Sequence, residues 1–202
     1  MLSYMLAGVV GYLIGSFPTA YLVVKWKSQI DIRTAGSGNV GTLNSYQVTN
    51  SRFVGAIVLV IDVVKGLLAV LFIKQITGTE FVPQALTGVC AVLGHDFPIW
   101  LRFKGGRGLA TAAGVMLAVS WFLVVLWMLL WFVGKKISHD INVGNAFATL
   151  ALLLLVVVAP ASLLVSITPQ GVQGVEFLLF VAVLVIVIMT KLVEPVRAFF
   201  SN

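Results

Sequence analysis

Residues 109–133 read LATAAGVMLAVSWFLVVLWMLLWFV, one apolar run without a charge. It is longer than the roughly 20 residues that a helix needs to cross a bilayer. Arg102, Lys104 and Arg107 precede it, and Lys135 and Lys136 follow it. Basic loops stay on the cytoplasmic side of a membrane, so both flanks belong to one compartment. A single span cannot begin and end on one side. The run is therefore expected to cross and return, bent near Val119-Ser120-Trp121. Each half holds about 12 residues, or roughly 20 Å of helix, against a hydrocarbon core of roughly 30 Å. Such short helices need a turn sheltered by protein, a thinned bilayer or a cavity. The simpler alternative is six spans with the 134–142 loop outside.

Around this run the chain has the same character. Of its 202 residues, 60% are hydrophobic and 10% are charged, where soluble domains carry about 25% charged residues. Other apolar runs cover about 1–24, 53–74, 83–101, 143–168 and 176–190. The first lacks a basic leader and exceeds a signal-peptide core, so it reads as a retained span. The loops between runs are short, so 1–202 reads as a single membrane domain. Polar loops lie at about 33–50 and 102–108. Lys25, Lys27, Arg33 and Arg52 fall in the first loop and Lys191 and Arg197 in the tail. The expected fold is all-α: a seven-transmembrane-helix bundle with two short helices, its N-terminus outside and its C-terminus cytoplasmic. The net charge of +6 reports orientation first and anionic lipids or substrates second. It is not read as a nucleic-acid surface. Lone Cys90 and two His residues form no metal-ligand cluster, so no metal is expected. Gly11 and Gly15 form a small-xxx-small step that marks close helix packing.

Two loops carry the chemistry. The first contains Gly36-Ser37-Gly38-Asn39-Val40-Gly41-Thr42-Leu43-Asn44. This matches G-x-G-x-x-G formally, but a dinucleotide site needs a preceding strand and a βαβ unit. Here a membrane helix precedes it, and that reading is rejected. Glycines still let backbone N–H groups converge on an anion, with Ser37, Asn39 and Asn44 as neutral donors and Arg33 beside them. The second loop reads Lys104-Gly105-Gly106-Arg107-Gly108 and opens directly into an apolar helix. Two cations, free N–H groups and a positive helix end meet there, and phosphate suits all three. Asp62 and Lys65 lie inside the second run, spaced to pair on one helix face. Charges at that depth face a polar interior, and Lys65 is a candidate for reaching an anionic ligand. His95, one turn before Pro98, is a candidate general base.

Four motifs carry a family resemblance: Arg33-x-x-Gly-Ser-Gly-Asn-x-Gly-x-x-Asn44, Asp62-x-x-Lys65-Gly66, Gly94-His95-x-x-Pro98 and Phe103-Lys-Gly-Gly-Arg-Gly-x-Ala-Thr111. In order and spacing the chain resembles the membrane glycerol-3-phosphate acyltransferases that use acyl phosphate, the PlsY family. The resemblance covers residues 8–145, with later spans matched by topology. It implies seven helices in the plasma membrane with the active site facing the cytoplasm. It implies acyl phosphate and glycerol 3-phosphate as substrates, lysophosphatidate and phosphate as products, and no cofactor. The implied catalytic positions are Ser37, Asn39, His95 and Lys104. The implied substrate contacts are Arg33, Gly36, Gly38, Gly41, Asn44, Lys65, Gly105, Gly106, Arg107 and Gly108. Some positions depart from the family pattern. Thr42-Leu43 replaces Ala-Thr, Gln47 a basic residue and Arg107 a lysine. Asn142 and Asn145 stand where the family has Ser-x-x-Ser. Lys191 and Glu194 replace a His and an Asn three apart. Asn142 and Lys191 are thus expected as altered acceptor contacts. The alternative is a relative that binds anionic lipid or acyl phosphate without turnover, or acylates another acceptor.

The expected orientation can be checked directly. With Cys90 replaced by Ala, a cysteine at Ser138 should react with an impermeant thiol reagent from the cytoplasmic side alone. Labelling from outside would restore six spans.

Overall fold

The computed structural model describes residues 1–201, which form helices and turns with no strand among them. The helices are α1 (Leu2–Gly15), α2 (Thr19–Ser28), α3 (Thr42–Thr49), α4 (Arg52–Thr77) and α5 (Phe81–Asp96). They continue as α6 (Leu109–Val119), α7 (Trp121–Ser138), α8 (Ile141–Val158), α9 (Ala161–Ile167) and α10 (Gly174–Phe200). Five stretches are long and apolar enough to cross a membrane: Leu2–Ser28, Arg52–Thr77, Trp121–Ser138, Ile141–Val158 and Gly174–Phe200. Leu109–Val119 is a shorter apolar helix.

The run at 109–133 is broken where expected. α6 stops at Val119, Ser120 is extended (φ −156°, ψ 91°), and α7 starts at Trp121. The Ser120 hydroxyl donates to the Ile167 carbonyl at 2.8 Å, so the break is stitched to the α9 end.

Other expected boundaries need correction. The run at 1–24 is not one helix, because it is interrupted at Ser16-Phe17-Pro18. Proline has no N–H to donate and its ring drives the preceding residue out of helical geometry. The run at 83–101 ends its helix at Asp96, two residues before Pro98. The run at 143–168 breaks at Ala159-Pro160 for the same reason as the first. The last helix reaches Phe200, well beyond the apolar run at 176–190. Hydropathy measures apolar length, and Lys191, Glu194 and Arg197 end that length without ending a helix they favour. The first polar loop likewise hides α3, whose sequence TLNSYQVT has no apolar face to betray it.

The chain divides into two compact units, Met1–Val115 and Met116–Asn202. In the first, α1 packs along α5 and α4, while α2 and α3 pack on α4. Close approach is made possible by missing side chains. A Cβ on Gly11 or Gly15 would overlap the Thr87 or Ala91 carbonyl of α5, and one on Gly94 would overlap the Tyr12 carbonyl of α1. Gly66 of α4 and Gly114 of α6 meet the Thr111 and Val63 carbonyls in the same way. Small-residue contacts of this kind hold helices together where lipid removes the hydrophobic incentive. A buried cluster of Val24, Ile32, Val40, Val54, Val58 and Leu101 joins α2 and α4 to both polar loops. In the second unit α8 packs between α7 and α10, and Trp127 Nε1 donates to Thr149 Oγ1 at 3.1 Å. Large apolar side chains remain exposed along the helices, among them Phe72, Leu129, Leu154 and Ile186. Lipid is the solvent that suits such faces.

Overpacking a tight contact costs about 1–3 kcal/mol. Gly15→Val should therefore lower the melting temperature of the detergent-purified protein by several degrees. Gly174→Ala, where an added Cβ meets none of the described residues within 4 Å, should leave it unchanged.

Candidate active site

The first loop builds itself around one side chain. Asn44, 1% exposed in the first turn of α3, donates through Nδ2 to the carbonyls of Asn39 (2.9 Å), Ala35 (3.0 Å) and Ile32 (3.3 Å). Its Oδ1 accepts from the Ser37 N–H at 3.0 Å. Gly36 and Gly38 take left-handed backbone angles (φ +59° and +71°), which only glycine adopts freely. A Cβ on Gly36 would also strike Asn44 Oδ1. Arg33 is held by Asp31: Nε donates to Oδ1 at 2.9 Å and Nη2 to Oδ2 at 2.6 Å. These bonds push the Asp31 carboxyl down to about 2 and raise the Arg33 guanidinium. Arg33 also lies over the Tyr21 ring, 5.0 Å from its centre. Asn44, expected to touch substrate, thus has its amide engaged within the loop, while Arg33, also expected to touch substrate, has its Nε and Nη2 held by Asp31. Ser37 is exposed and its Oγ accepts from the Asn39 N–H at 3.5 Å. The Asn39 side-chain amide has no hydrogen-bond partner among the described residues and lies against Gly41.

The second loop folds onto the end of α5. The Gly106 N–H donates to the His95 carbonyl at 3.1 Å. A Cβ on Gly105 would overlap that carbonyl and Pro98 Cδ, and one on Gly106 would overlap the His95 ring at Nε2. Gly108 (φ +71°) sits against the Asp96 carboxylate. Arg102 and Phe103 are two successive left-handed residues that are not glycine (φ 54° and 62°). Such angles cost energy and persist only where surrounding bonds impose them. Here the N–H groups of Arg102, Phe103 and Lys104 donate to the carbonyls of Ile99, Pro98 and Leu101. Lys104 is exposed, and its ammonium has no partner among the described residues; Arg107 is half-buried.

The two loops meet. The Val40 N–H donates to the Gly105 carbonyl at 3.4 Å. Beside this junction lies a buried charge network. Lys65 Nζ is 2.7 Å from Asp62 Oδ1, 2.9 Å from His95 Nδ1 and 3.1 Å from the Phe17 carbonyl. The ammonium is thus ion-paired with Asp62 and hydrogen-bonded to His95 and the Phe17 carbonyl. His95 Nδ1 is then an acceptor, and the neutral ring carries its proton on Nε2, the atom facing Gly106.

Residues 5–199 match the glycerol-3-phosphate acyltransferase family. The chain belongs to that family. A glycerol-3-phosphate acyltransferase of Thermotoga petrophila is 39% identical over 140 residues, covering 69% of this chain and 70% of the relative. The crystal structure of PlsY, an integral membrane glycerol 3-phosphate acyltransferase, in its glycerol 3-phosphate form superposes with a TM-score of 0.82. It shares 28% identity, over 98% of this chain and 92% of that one. The lysophosphatidic acid form of PlsY gives 0.81. With the five apolar stretches, family membership makes this a multi-pass membrane protein.

The two family glycine motifs, Lys65 and His95 are therefore gathered in the first unit. Asn142 and Lys191 belong to the second. There the Asn142 N–H donates to Asp140 Oδ1 at 2.7 Å in the cap of α8, and Lys191 lies within α10. Sequence reasoning missed the bend at Ser16–Thr19 as part of the site. Pro18 inside an apolar run was the available signal.

Removing a buried hydrogen-bonding hub costs about 1–3 kcal/mol. Asn44→Ala should open the first loop and speed tryptic cleavage after Arg33 about tenfold, with helix content by circular dichroism unchanged. An unchanged cleavage rate would deny Asn44 that role.

Proposed function

We propose that this protein transfers a fatty acyl group from acyl phosphate to the 1-hydroxyl of glycerol 3-phosphate, releasing lysophosphatidate and inorganic phosphate. The observation that carries this reading is the junction of the two glycine loops, Val40 N–H to Gly105 carbonyl, beside the Asp62–Lys65–His95 network. Two anions must be held side by side for this reaction. The two glycine-dense turns bring the side chains of Asn39, Lys104 and Arg107 to that junction as donors for both. The reading places that face in the cytoplasm, in a seven-helix arrangement.

Acyl phosphate is already activated, so no covalent intermediate on the protein is needed. The acceptor oxygen attacks the acyl carbon, the carbon–oxygen bond to phosphate breaks, and a phosphate oxygen takes the hydroxyl proton. The protein contributes register and charge stabilisation. Lys104, exposed and unpaired among the described residues, and Arg107 meet the leaving phosphate. Asn39 supplies a neutral donor from the first loop. His95 presents Nε2–H to the Gly106 turn, because Lys65 occupies its Nδ1. Asn44 and Arg33 shape the first loop. The acyl chain lies along apolar helix surface toward the bilayer.

Purified protein given acyl phosphate and glycerol 3-phosphate should release phosphate only when the acceptor is present. Lys104→Ala and Asn39→Ala should each lower kcat/KM at least about tenfold, roughly 1.4 kcal/mol of transition-state stabilisation. Acceptor-independent release, or wild-type rates in both variants, would remove this reading.

A further inference from the structure

The break between α1 and α2 places a polar residue that the reaction scheme does not use. Thr19 is 2% exposed, and its Oγ1 has no hydrogen-bond partner among the described residues. A buried hydroxyl without a partner is costly, and native structures leave few of them. Thr19 is not in an indifferent place. It lines a cleft whose other walls include Asp62, Lys65, His95, Val40 and Gly105. The last two are the residues that join the glycine loops. The cleft therefore lies directly beside the proposed phosphate-binding turns and ends against the buried charge network.

Its size narrows what can enter. The free space amounts to about one water molecule. A phosphate does not fit. Nor does a reacting hydroxyl, because the acyl carbonyl must approach that oxygen to about 3–3.5 Å. A single small polar group attached to a phosphate-bearing carbon chain does fit. The walls offer it a threonine hydroxyl, which both donates and accepts, and the carboxylate of Asp62, which accepts. That pairing matches an alcohol. The Lys65 charge is neutralised by the Asp62 carboxylate and its ammonium is also bonded to His95 and the Phe17 carbonyl, so it is not a spare cation to call in an anion.

We propose that Thr19 is a specificity-determining residue whose hydroxyl binds the secondary, non-reacting hydroxyl of the acceptor. The recognised class is a phosphate monoester carrying an alcohol on the neighbouring carbon. This rests on the acyltransferase reading for the identity of the acceptor, but its binding test does not need turnover.

The experiment compares glycerol 3-phosphate with 1,3-propanediol monophosphate, which keeps the phosphate and the reacting hydroxyl and lacks only the middle one. Binding to detergent-purified protein is measured by calorimetry, and kcat/KM with acyl phosphate as donor. Wild type should prefer glycerol 3-phosphate in both. Thr19→Val should reduce that preference about tenfold, and Thr19→Ser should retain it. Thr19→Ala gives the same reading if Thr19→Val does not fold. A Thr19→Val protein with undiminished preference, or a wild type that binds both compounds equally, overturns the proposal, and Thr19 then holds a water molecule. A wild type that prefers glycerol 3-phosphate in binding but releases no phosphate would sink the acyltransferase reading while supporting this one.

Discussion

An ammonium group inside an apolar helix must find partners, and in this protein those partners come from three elements. Lys65 sits on α4, one turn from Asp62 on the same helix. Its other two acceptors are His95 on α5 and the Phe17 carbonyl in the break after α1. Charge at membrane depth is expensive unless it is paired and hydrogen-bonded. Meeting that demand draws the α1–α2 break, the middle of α4 and the end of α5 to one point. The Phe17 carbonyl accepts from the Thr19 N–H at 2.9 Å and from Lys65 as well, and the interruption at Pro18 is what turns that oxygen toward the charge.

The second requirement is proximity of backbones. Helices carrying Gly11, Gly15, Gly66, Gly94 and Gly114 come close enough for a methyl group to overlap a facing carbonyl. The same device operates in the loops, where Gly105 and Gly106 let the chain lie flat against His95. Rigid helices and pressed-down glycine turns thus share one cause, the absence of Cβ. The turns stay put because their own polar groups are consumed internally, by Asn44 in the first loop and by the Pro98–Leu101 carbonyls in the second. Groups that shape a turn cannot also grip a ligand. This separates Asn44, whose amide is used on both sides, from Asn39 and Lys104, whose side chains are not.

Much of this could be read beforehand, and the misses have physical explanations. The break at Ser120 followed from basic flanks on both sides of one run, a consequence of charge and bilayer thickness. The pairing of Asp62 with Lys65 followed from helical spacing. The breaks at Pro18 and Pro160 were visible as residues but were outweighed by uniform hydropathy. The helix at Thr42–Thr49 has no apolar periodicity and left no trace. Thr19 carries no motif at all, and its place in the cleft depends on a carbonyl, a lysine and a glycine turn remote in sequence.

Composition and short-range pattern alone determined that the chain lives in a membrane, that the run at 109–133 is broken, and that two glycine-rich turns interrupt the apolar helices. These properties act over a few residues: transfer of apolar surface, the restricted angles of proline, the freedom of glycine. Which polar groups remain available was decided by tertiary structure. Val40 meets Gly105, His95 gives its Nδ1 to Lys65, and Thr19 keeps its hydroxyl because packing places these atoms together across 30 to 65 positions of sequence. A hydrogen bond is settled by a distance and an angle, and neither is encoded in the local run of residues.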